Sequence, residues 1–227
     1  MEKLIPFLVK RIKKVFLKKW IGKKLDQFDI NVFGTENISK FKNGSFVLAS
    51  NHLLSKDGGL LKSGISSDSF IIRKVVFHET GKKLAITASY ILEWPFVGRF
   101  FERFTKVIIK SFNSIPVGKG HNDFHNVFLR EVDKVVSEGR PILIYPVGKQ
   151  KEDFEETDEI RAGAGYIALR HKLPIVPVYI KGANLWKPGQ KIYLYFGKSF
   201  DSDDLTIDKI SERIKEEILK LKNQVNP

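Results

Sequence analysis

His52 follows the apolar run Phe46–Ser50 and Asn51, and Asp57 stands five residues beyond the histidine. If a helix opens just past a buried strand here, Asp57 lies a little over one turn along, near the imidazole. A carboxylate at that place accepts the Nδ1 proton, fixes the tautomer and leaves Nε2 free as a base. Two members of a Ser-His-Asp arrangement are then present without a nucleophile of the protein's own. Such a pair suits activating a substrate hydroxyl for direct attack on an acyl donor. The competing reading is a strand-to-helix turn with a capping aspartate. Composition alone yields such a spacing about one time in four in a chain with this many His and Asp, so the pair gains weight only from its surroundings.

The elements that must hold these residues read as alternating β and α. Phe46–Ser50, Pro141–Tyr145 and Pro174–Ile180 are short, bounded and very apolar, as strands buried on both faces are. Ile71–Phe77 and Lys106–Ile109 are β-branched runs and are predicted as strands, and Lys191–Phe196 alternates like a strand nearer the edge. Between Asp123 and Glu138 the residues Phe124, Val127, Phe128, Val132 and Val135 share one helical face, with Gly139 as the stop. Asp201 and Ser202 are candidate caps for a last helix striped by Ile207, Ile210, Ile214, Ile218 and Leu221. Strands alternating with helices predict a single α/β domain, with a mostly parallel mixed sheet flanked by helices.

The 227 residues are 42% apolar and 29% charged, with a formal net charge of +13, which describes a globular and strongly basic chain. An anionic partner, lipid surface or nucleic acid, is the expectation such a charge raises. Cysteine is absent, which removes disulfides, thiolate metal sites and thiol nucleophiles. The basic excess is densest at the start. Nine Lys and Arg lie within the first 25 residues, opposed by Glu2 alone, while Ile5, Leu8, Val9, Ile12, Phe16 and Trp20 recur at helical spacing. This reads as a basic amphipathic helix, with Pro6 in its first turn. Its pattern suits an anionic lipid surface better than nucleic acid, for which no binding motif is present. The apolar stretch Leu4–Val9 is cut by Lys10, Arg11, Lys13 and Lys14, so neither a secretory signal nor a spanning helix is expected.

Three further blocks follow His52. Ile115-Pro116-Val117-Gly118-Lys119 comes first, then Ile144-Tyr145-Pro146-Val147-Gly148-Lys149, with Arg161 before Gly163 and Gly165, and finally Leu173-Pro174-Ile175-Val176-Pro177-Val178. In that order and spacing the chain resembles the lysophosphatidic acid acyltransferase-like family of glycerolipid acyltransferases. That family carries an N-H-x-x-x-x-D block, an I-P-V-like strand ending in a basic residue, an F-P-E-G-T-R-like block and a V-P-I-V-P-V-like strand. The resemblance covers roughly residues 32–199.

The resemblance implies an O-acyltransferase in which His52 is the general base, oriented by Asp57. The acceptor hydroxyl, on a lysophospholipid or related lipid, attacks the thioester of acyl-CoA or acyl-carrier protein, with no covalent acyl-enzyme, cofactor or metal. Substrate-binding roles fall on Lys119, Gly148, Lys149 and Arg161, with Gly148 offering a backbone N–H to the developing oxyanion. Surface charge and tight turns are the plainer reading of these four, and close helix packing that of Gly163 and Gly165. Two departures stand out. The basic residue of the second block is Lys119 rather than Arg. In the third block Tyr145 replaces Phe, Val147 replaces the Glu and Gln150 replaces the Arg, which opens the identity of the acceptor. The domain plan is a membrane-surface helix over residues 1–28 and an acyltransferase domain over 29–227, peripheral on the cytoplasmic face of a membrane. A non-catalytic or altered-specificity lipid-binding relative and a basic nucleic-acid-binding protein are the alternatives.

Overall fold

The structure is a computed structural model that describes residues 19–57, 67–89, 114–117 and 122–225. Seven strands form one sheet: β1 Asp29–Phe33, β2 Val47–Ser50, β3 Ala85–Ser89, β4 Ile115–Val117, β5 Ile142–Ile144, β6 Ile175–Lys181 and β7 Lys191–Phe196. Their spatial order is β1-β7-β6-β2-β5-β3-β4, and every neighbouring pair is parallel except β6 with β7. The mixed, mostly parallel α/β sheet expected from the sequence is therefore present.

The middle of the sheet is dry because its strands carry apolar side chains on both faces. Along β2, β5 and β6 the residues alternate between two cores. Val47, Ala49, Ile142, Ile144, Ile175 and Tyr179 enter one core, and Leu48, Leu143, Val176, Val178 and Ile180 enter the other. Helices α3 (Asn122–Ser137), α4 (Gly163–His171) and α5 (Ile207–Val225) cover the first face. Helices α1 (Glu36–Ser39) and α2 (Asp68–Thr80) cover the second. The stripe on α5 is Ile210, Ile214, Ile218 and Leu221, all buried, each worth ~1.5–3 kcal/mol when removed from water.

Two expectations are corrected. The run Ile71–Phe77 is not a strand but the middle of α2. Its buried residues Ile71, Ile72, Val76 and Thr80 follow a helical rather than an alternating pattern, Asp68 supplies an acidic first turn, and Gly81 closes the helix in the left-handed conformation. Thr206, rather than Asp201 or Ser202, stands before the last helix, where its Oγ1 accepts from the Lys209 N–H at 3.4 Å. The strands β1 and β3 have no counterpart in the sequence reading. Lys106–Ile109 lies outside the described residues.

Of the basic N-terminal segment, the described part is the helical stretch 19–25. Ile21 and Leu25 are buried in the second core, and Trp20 and Phe28 pack against it. The apolar stripe at this end of the segment faces the protein's own interior.

Candidate active site

The parallel strands β2 and β5 lie side by side and end at the same edge of the sheet, where ligands of open α/β sheets bind. His52 leaves the end of β2 and Tyr145 the end of β5. Asn51, buried, sets the direction. Its amide donates to the Ile180 carbonyl at 2.9 Å and its carbonyl oxygen accepts from the Ile180 N–H at 2.8 Å, so a side chain completes a rung between β2 and β6. One residue on, the His52 carbonyl accepts from the Lys151 N–H at 2.9 Å and the Leu54 N–H donates to the Lys151 carbonyl. His52 is thereby held between two paired backbones.

The carboxylate on the imidazole is Asp68. Its Oδ2 is 2.7 Å from His52 Nδ1 and also accepts from the Leu53 N–H at 3.0 Å. The Asp68 side chain is fully buried and that of His52 is 22% exposed, so the carboxylate is dry while the ring still reaches solvent. A carboxylate there keeps the proton on Nδ1 and leaves Nε2 as an acceptor. Asp68 opens α2, where the helix dipole and the Ser69 N–H, 2.5 Å from Oδ1, both favour negative charge. Ser67 fixes its entry by donating to the Ala183 carbonyl at 2.8 Å.

Asp57, expected on Nδ1 of His52, is placed elsewhere. Its Oδ2 accepts from the Trp186 N–H at 2.6 Å and its Oδ1 from the Ser55 hydroxyl at 2.9 Å. It ties the chain after His52 to the loop between β6 and β7, the same loop that holds Ser67. The local signal for Asp68 was in the sequence: Ser67-Asp68-Ser69 directly before an apolar run reads as a helix start once that run is taken as helical. Reading the run as a strand concealed it.

Tyr145 lies flat against the histidine, with ring centroids 3.8 Å apart and an interplanar angle of 13°. Its hydroxyl donates to Asp68 Oδ1 at 3.3 Å. Burial first, then the Asp68 charge and hydrogen bond, push the phenol well above its ordinary range, so it stays protonated. Arg73 of α2 is close to it, and burial, with repulsion from Arg140, pulls that guanidinium down to about 10.

The turn after Tyr145 carries the other expected residues. Gly148 has φ +72°, and its N–H donates to the Tyr145 carbonyl at 2.9 Å, which closes the turn and commits the donor expected for an oxyanion. The Arg161 guanidinium lies across Gly148: a Cβ added there would come within 2.6 Å of it. Lys149 is exposed and borders a small cavity shared with Asn51, His52, Val147 and Lys151. Val147 is nearly buried in the first core. Lys151 is paired with Asp158 at 2.6 Å and Glu155 at 2.7 Å, and those hydrogen bonds raise its pKa. Lys119 lies outside the described residues. Among the described residues no three His, Asp or Glu side chains converge into a metal-sized cluster.

The acyltransferase family profile matches residues 29–181, more than half of the chain and all of the site just described. The chain belongs to the acyltransferase family. No curated protein sequence is significantly similar to this acyltransferase. Its fold is similar to the crystal structure of the 1-acyl-sn-glycerophosphate (LPA) acyltransferase PlsC from Thermotoga maritima. The two share 17% identity with a TM-score of 0.58, over 95% of this acyltransferase and 83% of the other chain. Among the described residues no helix of the acyltransferase is long and apolar enough to cross a membrane.

Proposed function

We propose that this acyltransferase moves a fatty acyl group from the thioester of acyl-CoA or acyl-carrier protein to a hydroxyl of a lysophospholipid or related lipid. His52 Nε2 takes the proton of the acceptor hydroxyl as its oxygen attacks the thioester carbonyl carbon. The tetrahedral intermediate collapses with loss of the C–S bond, and the departing sulfur takes the proton back from the imidazolium. Asp68 holds Nδ1 and offsets the positive charge that His52 carries between the two transfers.

The observation that carries this reading is the buried Asp68 carboxylate 2.7 Å from Nδ1 of a histidine whose ring remains partly open at the strand ends. Lys149 borders the cavity at His52 and Arg161 lies across the neighbouring Gly148, neither with an ion pair among the described residues, which favours an anionic acceptor. Val147 at the place of the family's Glu supports an acceptor other than the one named for PlsC. The basic N-terminal segment supports a peripheral site of action on the cytoplasmic face of a membrane, where acceptor and product reside.

The deciding experiment offers labelled acyl-CoA and acyl-carrier protein with a panel of lyso-lipids and glycerol phosphate, followed by mass spectrometry of the products. A new ester from wild type that disappears in His52→Ala supports the proposal. Transfer retained above a tenth of wild type in His52→Ala overturns the assignment of the base. A chain that binds lyso-lipid but acylates none of the panel is a non-catalytic relative.

A further inference from the structure

We infer that Tyr145 is a positioning residue for the base, its ring fixing the plane of His52 while its hydroxyl occupies Asp68 Oδ1 and leaves Oδ2 to the imidazole. The inference rests on the reading of His52 as the base.

Two independent contacts carry it. The stack, at 3.8 Å and 13°, covers one face of the imidazole, so rotation about χ2 is restricted to the plane in which Nδ1 meets Asp68. The hydroxyl meets the other end of the same carboxylate. A fully buried carboxylate needs donors on both oxygens, because each unfilled lone pair in a dry site costs free energy. Oδ2 is filled by His52 Nδ1 and the Leu53 N–H. Oδ1 is filled by the Ser69 N–H and by Tyr145. With the hydroxyl in place the carboxylate cannot swing to offer Oδ1 to the ring, and part of its charge is drawn away from the imidazole. The block to which Tyr145 belongs has Phe at this place in the family pattern, and a phenyl ring would stack but donate nothing.

The charged groups that face His52 set what a pH profile can report. Asp68 comes from α2, as does Arg73 behind Tyr145. Lys149, Lys151, Asp153 and Asp158 come from the loop that shares its cavity. Lys151 is balanced by Asp158 and Glu155, so the loop's response is the same with or without the tyrosine hydroxyl.

The test is Tyr145→Phe, which keeps the stack and removes one oxygen. The expected result is a three- to thirtyfold loss of kcat with KM for both substrates within twofold. The acid limb of the kcat/KM profile should move upward, because the carboxylate then acts undiluted on the imidazolium. The thermal midpoint should hold within a few degrees. In the Asp68→Asn background the same change should cost nothing further, since the hydroxyl acts through that carboxylate. If Asp68→Asn is too slow for kinetics, the titration of the His52 ring protons by NMR replaces it: Tyr145→Phe moves that titration in wild type and leaves it unmoved in Asp68→Asn. An unshifted profile in Tyr145→Phe overturns the inference, as does an equal loss in both backgrounds, which would put the hydroxyl on substrate. His52→Ala separates the two readings: if it is active the base assignment fails, whereas an inactive His52→Ala with a wild-type Tyr145→Phe sinks only the role of the tyrosine.

Discussion

Asp68 meets His52 from sixteen positions along the chain, Oδ2 to Nδ1 at 2.7 Å, while the aspartate five positions away bonds a backbone N–H of another loop. Burial separates the two carboxylates in consequence as well as in place. Asp68 is fully enclosed, so its charge acts on the imidazole through little solvent, whereas Asp57 is half-buried on a loop. Asp68→Asn should therefore lower kcat by ~10²-fold or more, through a lost charge and a competing tautomer. Asp57→Asn keeps an acceptor for the Trp186 N–H and should stay within about threefold of wild type. Steady-state kinetics on the two variants, with thermal melts to show folding, decides the matter. The reverse pattern would return Asp57 to the histidine in the working enzyme.

Gly148 and Arg161 form the second test. A methyl group at Gly148 meets the guanidinium at 2.6 Å on a backbone at φ +72°, so Gly148→Ala must both strain the turn and displace Arg161. If Arg161 and Lys149 receive the negative group of the acceptor, Arg161→Ala and Lys149→Ala should each raise KM for an anionic acceptor by ~5–50-fold. The saturated rate should change less, because binding is lost equally in ground and transition states. Gly148→Ala should copy Arg161→Ala in KM and add a loss of stability. Unchanged KM in all three variants for every anionic acceptor would assign the acceptor a neutral or zwitterionic head.

Asp153 provides a prediction in pH. Burial pushes its carboxyl up, but hydrogen bonds from Lys222, Tyr179 and the Phe154 N–H outweigh that and leave it below the ordinary carboxylate value. A carboxyl lowered in the folded state stabilises above its unfolded value of about 3.9, and this contribution disappears as pH falls through the folded value. Asp153→Asn should thus be less stable than wild type at pH 7 and should lose less on acidification from about pH 5 to pH 3. Urea midpoints measured across that range test it. Parallel curves for the two proteins would mean that the Asp153 network contributes nothing to acid stability.

Legibility in the sequence followed burial. Strands β2, β5 and β6 read correctly because both faces are dry, which leaves bounded apolar runs that few other structures produce. Ile71–Phe77 was misread because Ile and Val favour strands intrinsically, and propensity gave way to packing once Ile71, Ile72 and Val76 found one side of the second core. The edge strand β1, Asp29–Phe33, is half-exposed, and its alternation of Asp29 and Asn31 with Ile30 and Val32 is too short to stand out. His52 was legible from its place after β2. The helix start at Asp68 was legible too, but not its pairing with His52, since the two stand sixteen positions apart and the fold, and no local spacing, brings them together.

The basic N-terminal segment can be cut at Lys18 without removing Ile21 or Leu25. Beyond that point Ile21 and Leu25 are buried among core side chains, so removing them leaves cavities costing ~2–5 kcal/mol for each large side chain lost. Before it, the sequence carries Lys3, Lys10, Arg11, Lys13, Lys14 and Lys18 against Glu2, with Phe7, Leu8, Ile12 and Phe16 at helical spacing between them. Each Lys or Arg near an anionic surface is worth ~1 kcal/mol, so six together would suffice for binding to such a surface where no one of them could. Deletion of residues 2–18 should leave a protein that still melts cooperatively and no longer floats with anionic liposomes. Deletion of residues 2–24 should lower the melting point sharply. Binding of the full chain should weaken as salt rises, and vesicles of zwitterionic lipid should retain little of it. If the 2–18 deletion floats as well as the full chain, the surface that meets the membrane lies within residues 19–227 and the basic segment serves another purpose.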